Sequence, residues 1–346
     1  AAPRRARCIW GEGGRDIAGW ESCARINNDA SSPGRLPCAG SEGSHFFSGG
    51  LGGLGLLTAR LLFDCGARHL ILSSRTGRVQ SGSEADWLWL SSRACVQPVC
   101  CDVSDLNSLR AVIRRVQANG PPLAGIFHAA GVLADATVMN QTIARFAAVF
   151  APKVHGAAAL QSASAYSVIH FFHMYSSVAG LVGNAGATPH SAANTWLDSF
   201  VHCRRDSGLE SLGIQWGAVA TIGYAARHGA DKRASLSGMG SVTRAMACAA
   251  LRASLKTCYE LVVAVWPADW NKLFGLMADK VPGLLLPWKQ RRQTRALPAS
   301  AEARTRPDVS SGLTPSISLE LVLDILQNTM SSEVGADVPL MEAGLD

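Results

Sequence analysis

A glycine-rich run between a strand-like segment and a helical pattern constrains the fold of this chain more than any other feature. The run reads SGGLGGLG at residues 48–55 and directly follows the apolar segment 45–48. Glycines in such a turn let the backbone approach a pyrophosphate, and the first N–H groups of the next helix point toward it. The run therefore indicates a dinucleotide-binding turn, with a plain glycine-rich turn as the alternative.

Short β-branched or aromatic segments alternate with longer helical patterns from residue 44 to about residue 270. Strands separated by helices of this length require right-handed parallel crossovers. The pattern predicts an α/β fold with a doubly wound parallel sheet of the Rossmann type. The segments expected to be strands are residues 45–48, 69–74, 96–103, 125–128, 168–175, 212–215 and 261–265.

Composition and charge argue against several other classes. The 346 residues are 48% hydrophobic and 17% charged, as in ordinary globular proteins. No apolar stretch reaches the roughly 18 residues of a membrane span. The ten cysteines are scattered without a CxxC pair, and no signal-peptide pattern precedes them. We therefore expect free thiols in a reducing compartment, the cytoplasm, with a plastid as the alternative.

The net charge of +6 does not indicate a nucleic-acid partner. Residues 287–306 carry six basic side chains and one acidic side chain, so this one segment holds nearly all of the excess. The segment is rich in Pro, Ala and Arg and lacks the repeated aromatic residues that stack on bases. We expect a solvated linker and no binding to nucleic acid.

Changes in composition divide the chain into four regions. The first is expected to be irregular because it lacks apolar periodicity, the second carries the alternating pattern, and the third is a basic linker. The fourth contains an amphipathic helical pattern and is expected to be a small, incomplete helical unit. These regions are residues 1–43, 44–270, 271–315 and 316–346.

Two further features lie where a dinucleotide would need them. The second expected strand ends at Ser74 and Arg75, and an Arg at this position can pair with a 2′-phosphate, which favours NADPH over NADH. The third ends near Asp102 and Val103, and the Asp102 carboxylate could accept a hydrogen bond from an adenine amino group. A role for Asp102 in capping the next helix fits the sequence nearly as well.

Eight motifs, taken in order, resemble the ketoreductase domain of type I polyketide synthases, within the short-chain dehydrogenase/reductase superfamily. They are SGGLGGLG (48–55), LILSSR (70–75), CDVSD (101–105), HAAGVLADAT (128–137), FAPKVHGA (150–157), YSSVAGLVG (175–183), SAANTWLD (191–198) and IQWGA (214–218). The resemblance implies NADPH-dependent reduction of a β-ketoacyl thioester that an acyl carrier protein presents on its phosphopantetheine arm. Other synthase domains are the implied partners. The implied cofactor-binding residues, besides Ser74, Arg75, Asp102 and Val103, are Gly49, Gly50, Leu51, Gly52, Gly53, Leu54, Gly55, Ala129, Ala130 and Gly131.

The resemblance also implies the catalytic residues, with one departure. Lys153, Ser177 and Asn194 stand at the family's spacing, whereas His190 occupies the position of the catalytic Tyr. A Tyr hydroxyl has a pKa of about 10, which a nearby ammonium lowers, and it can donate the proton that follows the hydride. The Lys153 ammonium would instead disfavour a charged His190. We therefore expect impaired reduction, with an inactive structural or docking domain as the alternative.

Three more features follow from the same resemblance. Asp135 stands where B-type ketoreductases carry the last Asp of an LDD signature, although the preceding Asp is Ala134 here, and an ordinary loop Asp is the alternative. The Trp that marks A-type members would fall at Val182 and is absent, so the resemblance implies B-type stereochemistry. Trp216 resembles a family feature near the substrate, with strand-end packing as the alternative. Residues 316–346 resemble the start of an acyl carrier domain and stop before its phosphopantetheine-bearing Ser, so we expect phosphopantetheine to act in trans.

The remaining histidines are expected to need no chemistry. His128 is expected to act through its backbone, and His170 and His173 are expected to pack within a strand. No metal site is expected, because the histidines have no acidic or Cys partners at metal spacing. Thr188 is predicted to cap a helix that continues through Asn194, with a Pro at its first position.

Overall fold

The fold of the chain is an eight-stranded sheet with helices on both faces. The computed structural model describes residues 7–8, 43–220, 238–255 and 260–277, with a few positions between 281 and 289. All neighbouring strands are parallel, in the order β1-β8-β7-β6-β5-β2-β3-β4. The predicted doubly wound α/β fold is confirmed. The strands are β1 (Arg7–Cys8), β2 (Ser44–Ser48), β3 (His69–Ser74), β4 (Cys95–Cys100), β5 (Leu123–His128), β6 (Phe171–Ser177), β7 (Leu212–Trp216) and β8 (Val262–Val265).

The helices connect successive strands, and the strand order reverses between β2 and β5. The chain builds β3 and β4 on one side of β2 and then crosses to β5 on the other side. Such a reversal opens a crevice at the carboxyl ends of the strands, where ligands of this architecture bind. The helices are α1 (Gly53–Asp64), α2 (Glu84–Ser91), α3 (Leu106–Asn119), α4 (Ile143–Phe150), α5 (Gly156–Ala163), α6 (Ala179–Val182), α7 (Thr188–Asp206), α8 (Arg244–Ser254) and α9 (Trp270–Met277), with a π-helical turn at Ala151–His155.

Two hydrophobic layers hold the helices against the sheet. Phe46 and Phe47 are adjacent in β2 and fully buried, and they belong to opposite layers because side chains alternate along a strand. The Phe47 layer includes side chains of α1 and α8, whereas the Phe46 layer includes side chains of α3, α5 and α7. Burial of both faces explains why the central strands read as nearly continuous apolar runs.

Several element limits differ from the sequence prediction. Strand β4 ends at Cys100 rather than 103, because Asp102 Oδ1 accepts hydrogen bonds from the Ser104 N–H and hydroxyl and turns the chain. Strand β6 begins at Phe171, so His170 lies exposed before the strand and does not pack within it. Helix α7 starts at Thr188 with Ala187 as its N-cap, one residue earlier than predicted.

The limits of the predicted regions also shift. Arg7 and Cys8 pair with β8, so residues 1–43 are not irregular throughout. Residues 271–277 belong to α9, whose Trp270 ring packs against Trp266 5.1 Å away, so the expected linker does not start at 271. The expected carrier unit at 316–346 lies outside the described residues, as does most of the linker. No helix in the described part of the chain is long and apolar enough to cross a membrane.

Candidate active site

The glycine-rich turn follows β2 and packs against the turn after β5. Gly49 has a φ of +67°, and a Cβ there would lie 2.8 Å from the backbone of Ala129 and Ala130. A Cβ at Gly55 would lie 2.6 Å from the Gly49 carbonyl oxygen. Helix α1 starts beside this turn, and its N-cap Gly52 provides no side-chain hydrogen bond. The unpaired N–H groups of the first helical turn suit an anionic group.

Arg75 and Asp102 lie at the ends of β3 and β4, on the same edge of the sheet as the turn. Both side chains are exposed. Hydrogen bonds from Ser104 lower the pKa of Asp102, and the Arg75 guanidinium contributes to the same shift. Asp105 caps α3 by accepting the backbone N–H of Asn107 at 3.0 Å. The capping role that Asp102 might have filled therefore belongs to Asp105.

The other predicted cofactor residues differ in what they expose. The Leu51 and Val103 side chains are buried in the core, so only their backbones could face a ligand. The Ser74 hydroxyl donates to the Arg78 carbonyl at 3.4 Å. Gly131 is exposed, and a Cβ there would lie 3.0 Å from the Lys153 side chain. The turn after β5 therefore joins the glycine-rich turn to the group around Lys153.

Lys153 is a buried cation at the centre of the predicted catalytic group. It lies in the π-helical turn, and its Nζ donates to Asn194 Oδ1 at 2.8 Å and to the Tyr175 carbonyl at 3.0 Å. Asn194 Nδ2 donates to the His190 carbonyl at 2.8 Å, and the Ser176 hydroxyl donates to the Asn194 carbonyl at 3.2 Å. These bonds hold the π-helical turn, β6 and α7 in one arrangement.

His190 lies one helical turn before Asn194 and is half-buried. Its Nδ1 atom is buried and has no hydrogen-bond partner among the described residues. Burial, followed by the Lys153 ammonium, lowers the pKa of His190 to about 3. The sequence argument invoked only the ammonium, whereas burial is the larger cause. The ring is therefore neutral at pH 7.

Ser177 ends β6 beside this group. Its Oγ accepts the backbone N–H of Ala179 at 3.2 Å, which orients the hydroxyl and leaves its hydrogen to donate. Tyr175, two residues earlier, has its hydroxyl 2.5 Å from Thr58 Oγ1 in α1, and burial raises its pKa. The Tyr175 hydroxyl is engaged with α1, so it cannot take the place of a phenol at position 190.

His128 has a structural role that the sequence argument missed. The ring is fully buried, with Nε2 2.9 Å from the Lys153 carbonyl oxygen and Nδ1 2.5 Å from Ser48 Oγ. Burial lowers the pKa of His128 to about 4, so the ring is neutral. A carbonyl can only accept, so Nε2 carries the hydrogen and Nδ1 accepts from Ser48. The side chain thus ties the end of β2 to the backbone of Lys153.

Asp198 is a second residue that the sequence argument left without a role. It lies one turn after Asn194 and is half-buried, and its Oδ2 accepts a 2.7 Å hydrogen bond from Gln215 Nε2. Burial raises the pKa of Asp198 to about 6, although Gln215 and Lys153 oppose the shift. One signal in the sequence could have identified it. Asp198 follows Asn194 by four residues, and a helix is predicted through Asn194, so a continued helix would place both side chains on one face.

The two predicted stereocontrol residues differ in exposure. Asp135 is exposed, and its carbonyl accepts a 3.0 Å hydrogen bond from Arg145. Trp216 ends β7 and is buried in the core, with its ring edge-on to Tyr175 at 5.7 Å. Trp216 packs in the core and is the register partner of Ser177 on the neighbouring strand, so its place near the substrate stays a prediction.

The fold and the site together define the short-chain dehydrogenase/reductase class. The sheet is parallel and doubly wound, and a glycine-rich turn lies where its strand order reverses. Lys, Asn and Ser side chains lie near that turn. The family model described as "KR domain" matches residues 43–221. The chain belongs to this family, the ketoreductase domains of polyketide synthases.

Similar proteins agree with that membership. The phthioceranic/hydroxyphthioceranic acid synthase of Mycobacterium tuberculosis is 38% identical over 182 residues, which are 53% of this chain and 9% of that protein. A mycocerosic acid synthase-like polyketide synthase of Mycolicibacterium smegmatis is 31% identical over 321 residues, which are 91% of this chain and 15% of that protein. The chain thus spans less than a sixth of the length of these relatives.

Solved structures show the same fold. An A1-type ketoreductase superposes with a TM-score of 0.69 at 26% identity, over 77% of this chain and 56% of that chain. An A-type ketoreductase from a modular polyketide synthase gives a TM-score of 0.67 at 29% identity, over 73% of this chain and 54% of that chain. The ketoreductase fold therefore extends over about three quarters of this chain.

Proposed function

We propose that this chain is an NADPH-binding ketoreductase region that reduces a β-ketoacyl thioester to a β-hydroxyacyl thioester, with a turnover that His190 impairs. The 2.8 Å hydrogen bond between Lys153 Nζ and Asn194 Oδ1, at the same sheet edge as the glycine-rich turn, is the observation that carries the proposal. Two residues 41 positions apart meet there in the arrangement that the family's spacing implies.

The residues present fit a phosphorylated dinucleotide. Side chains at Gly49 and Gly55 would collide with backbone atoms, and the uncapped start of α1 suits a pyrophosphate. Arg75 is exposed on the same edge and would pair with the 2′-phosphate. When bound, NADPH supplies the hydride for the carbonyl carbon of the substrate. The chain's own residues supply binding, orientation and the proton.

The proton is the step for which this site is poorly equipped. The Ser177 hydroxyl can donate to the substrate carbonyl and polarise it, but the alkoxide that follows hydride addition still needs a proton. A Tyr phenol in this position would donate it, whereas His190 is neutral at pH 7 because burial and Lys153 lower its pKa to about 3. We therefore expect slow reduction that speeds up as the pH falls.

The substrate and its carrier are proposed from the family and its relatives. The matched relatives are polyketide synthases, so the acyl group would arrive on the phosphopantetheine arm of an acyl carrier protein, with other synthase domains as partners. The alignment with the M. smegmatis protein covers 91% of this chain and so extends beyond the ketoreductase match at 43–221. The linker and the start of a carrier domain are proposed from the resemblance of residues 316–346 alone. Asp135 would direct B-type stereochemistry, which chiral analysis of the product tests.

Oxidation of NADPH with a simple β-ketoacyl thioester tests the proposal. The unmodified chain should turn over weakly, and His190→Tyr should raise the rate while leaving NADPH affinity unchanged. Equal affinity for NADPH and NADH would contradict the role of Arg75. Failure of both proteins to bind NADPH would contradict the proposal as a whole.

An inactive structural or docking domain is the second candidate. The neutral ring of His190 at the position of the proton donor favours it, because burial and the Lys153 ammonium lower the pKa of His190 to about 3. The two candidates separate cleanly. An inactive domain would show no NADPH oxidation with any carrier-bound or free thioester, and His190→Tyr would not create it.

A further inference from the structure

A carboxylate lies on the same face of α7 as the residues of the proposed site. His190, Asn194 and Asp198 follow one another at four-residue intervals, so each lies one turn beyond the last. The Asp198 side chain lies over β7, where its Oδ2 accepts from Gln215 Nε2 at 2.7 Å and a Cβ on Gly213 would lie 3.6 Å from its Oδ1. Asp198 is therefore held between α7 and the sheet, directly behind Asn194.

Lys153 and Asp198 are both neighbours of Asn194: Lys153 Nζ donates to Asn194 Oδ1 at 2.8 Å, and Asp198 follows Asn194 by one turn of α7. Burial lowers the pKa of Lys153 to about 8, and the Asp198 carboxylate opposes that shift. The Lys153 ammonium in turn opposes the rise in the pKa of Asp198 that burial causes. Both groups lie largely out of water, where charges are screened less than at the surface. Their coupling therefore favours the charged form of each.

The other titratable groups around the pair do not supply a second negative charge. His190 and His128 face Lys153, and burial lowers the pKa of each well below neutrality. Tyr175 offers Lys153 its carbonyl while its hydroxyl bonds to α1. His202 faces Asp198 from the next turn of α7, and it opposes the rise in the pKa of Asp198.

We propose that Asp198 is a positioning residue of this site, which keeps the Lys153 side chain charged and directed at Asn194. The carboxylate acts from the turn of α7 behind Asn194, and its effect reaches the reacting groups only through Lys153. The consequence for catalysis rests on the proposed function, whereas the coupling between Asp198 and Lys153 does not. Without the carboxylate, Lys153 would lose its proton in the neutral pH range, and the hydrogen bond that orders Asn194 would weaken.

The chain is well suited to a direct test, because it contains only six lysines. Lysine labelled with ¹³C at Cε gives one NMR signal for each, and the Lys153 signal is identified by its loss in Lys153→Met. Titration of the full chain between pH 5 and 10 should give a midpoint near 8 for Lys153. Asp198→Asn keeps the shape of the side chain and an acceptor for Gln215, and should lower that midpoint by about one pH unit.

Two further variants separate a specific effect from a general one. Asp206→Asn removes the same charge from the exposed end of α7 and should leave the Lys153 midpoint in place. Asp198→Glu should restore most of the shift. An unchanged Lys153 midpoint in Asp198→Asn, or an equal shift in Asp206→Asn, would overturn the inference.

A measurement on the unmodified chain tests the inference even if Asp198→Asn does not fold. The Lys153 signal should show a second, smaller inflection near pH 6, where Asp198 takes up its proton. Its absence would overturn the coupling. Neither titration needs cofactor or substrate, so the result can be interpreted even if the chain does not reduce the thioester. In the His190→Tyr background, Asp198→Asn should shift the alkaline limb of the pH–rate profile to lower pH, by the same number of pH units as the Lys153 midpoint.

Discussion

The charge state of His190 makes a quantitative prediction for the reductive reaction. With a pKa of about 3, only about one ring in 10⁴ carries a proton at pH 7. If that imidazolium protonates the alkoxide, the rate should rise tenfold for each unit of falling pH. The gain between pH 8 and pH 6 would be about 100-fold.

The assay is the initial rate of NADPH oxidation with a simple β-ketoacyl thioester between pH 6 and 8. His190→Tyr should raise the rate at pH 7 by about 10²–10⁴, because a phenol beside the Lys153 ammonium is a competent acid. His190→Phe has no proton to give and should remove the dependence on pH. NADPH affinity, measured in parallel by fluorescence, should be the same for all three proteins.

Three results would contradict this reasoning. Robust turnover of the unmodified chain, flat between pH 6 and 8, would show that His190 does not limit the reaction. A rate that is flat to pH 7 and falls above pH 8 would assign the proton to Lys153, whose pKa is about 8. If His190→Tyr binds NADPH but gains no activity, the defect lies outside position 190.

Three further predictions concern binding and stability. Arg75→Ala should weaken NADPH binding by about 10- to 100-fold and leave NADH binding unchanged, since it removes only the partner of the 2′-phosphate; parallel losses for both cofactors would contradict this. Buried His45, His128 and His173 have pKa values of about 4, 4 and 3 in the fold, so the unfolded chain takes up their protons first as the pH falls below about 6.5. Each of these histidines should lower the free energy of unfolding by about 2 kcal/mol between pH 7 and pH 5. In urea denaturation, the loss of stability over this range should be about 2 kcal/mol smaller for His173→Leu than for the unmodified chain. An equal loss in the two proteins would contradict the contribution of His173. Deleting residues 316–346 should leave the melting of the ketoreductase fold unchanged, because one amphipathic helix buries too little apolar surface to form part of it; a large drop in melting temperature would show that the segment packs on the domain.

The sequence alone determined the parallel α/β architecture. The alternation of strand-like and helical patterns reflects local backbone preference and the set of side chains that must be buried. Both properties depend on residues close together in the sequence, so they can be predicted from it. The buried pair Phe46 and Phe47 and the glycine run after them show this directly. Lys153 and Asn194 were selected by the spacing that the resemblance to the ketoreductase family implies, and the fold brings their side chains within 2.8 Å of each other.

Only the tertiary structure decided the electrostatics of the site. The pKa of His190 depends mainly on how much water the surrounding segments exclude, which no local pattern encodes. The His128 side chain bonds to Ser48 and to the Lys153 backbone, 80 and 25 residues away, so its role exists only once those segments have packed. Asp198 acquires its influence on Lys153 in the same way. Burial and proximity are properties of the assembled fold, and they set which groups carry charge.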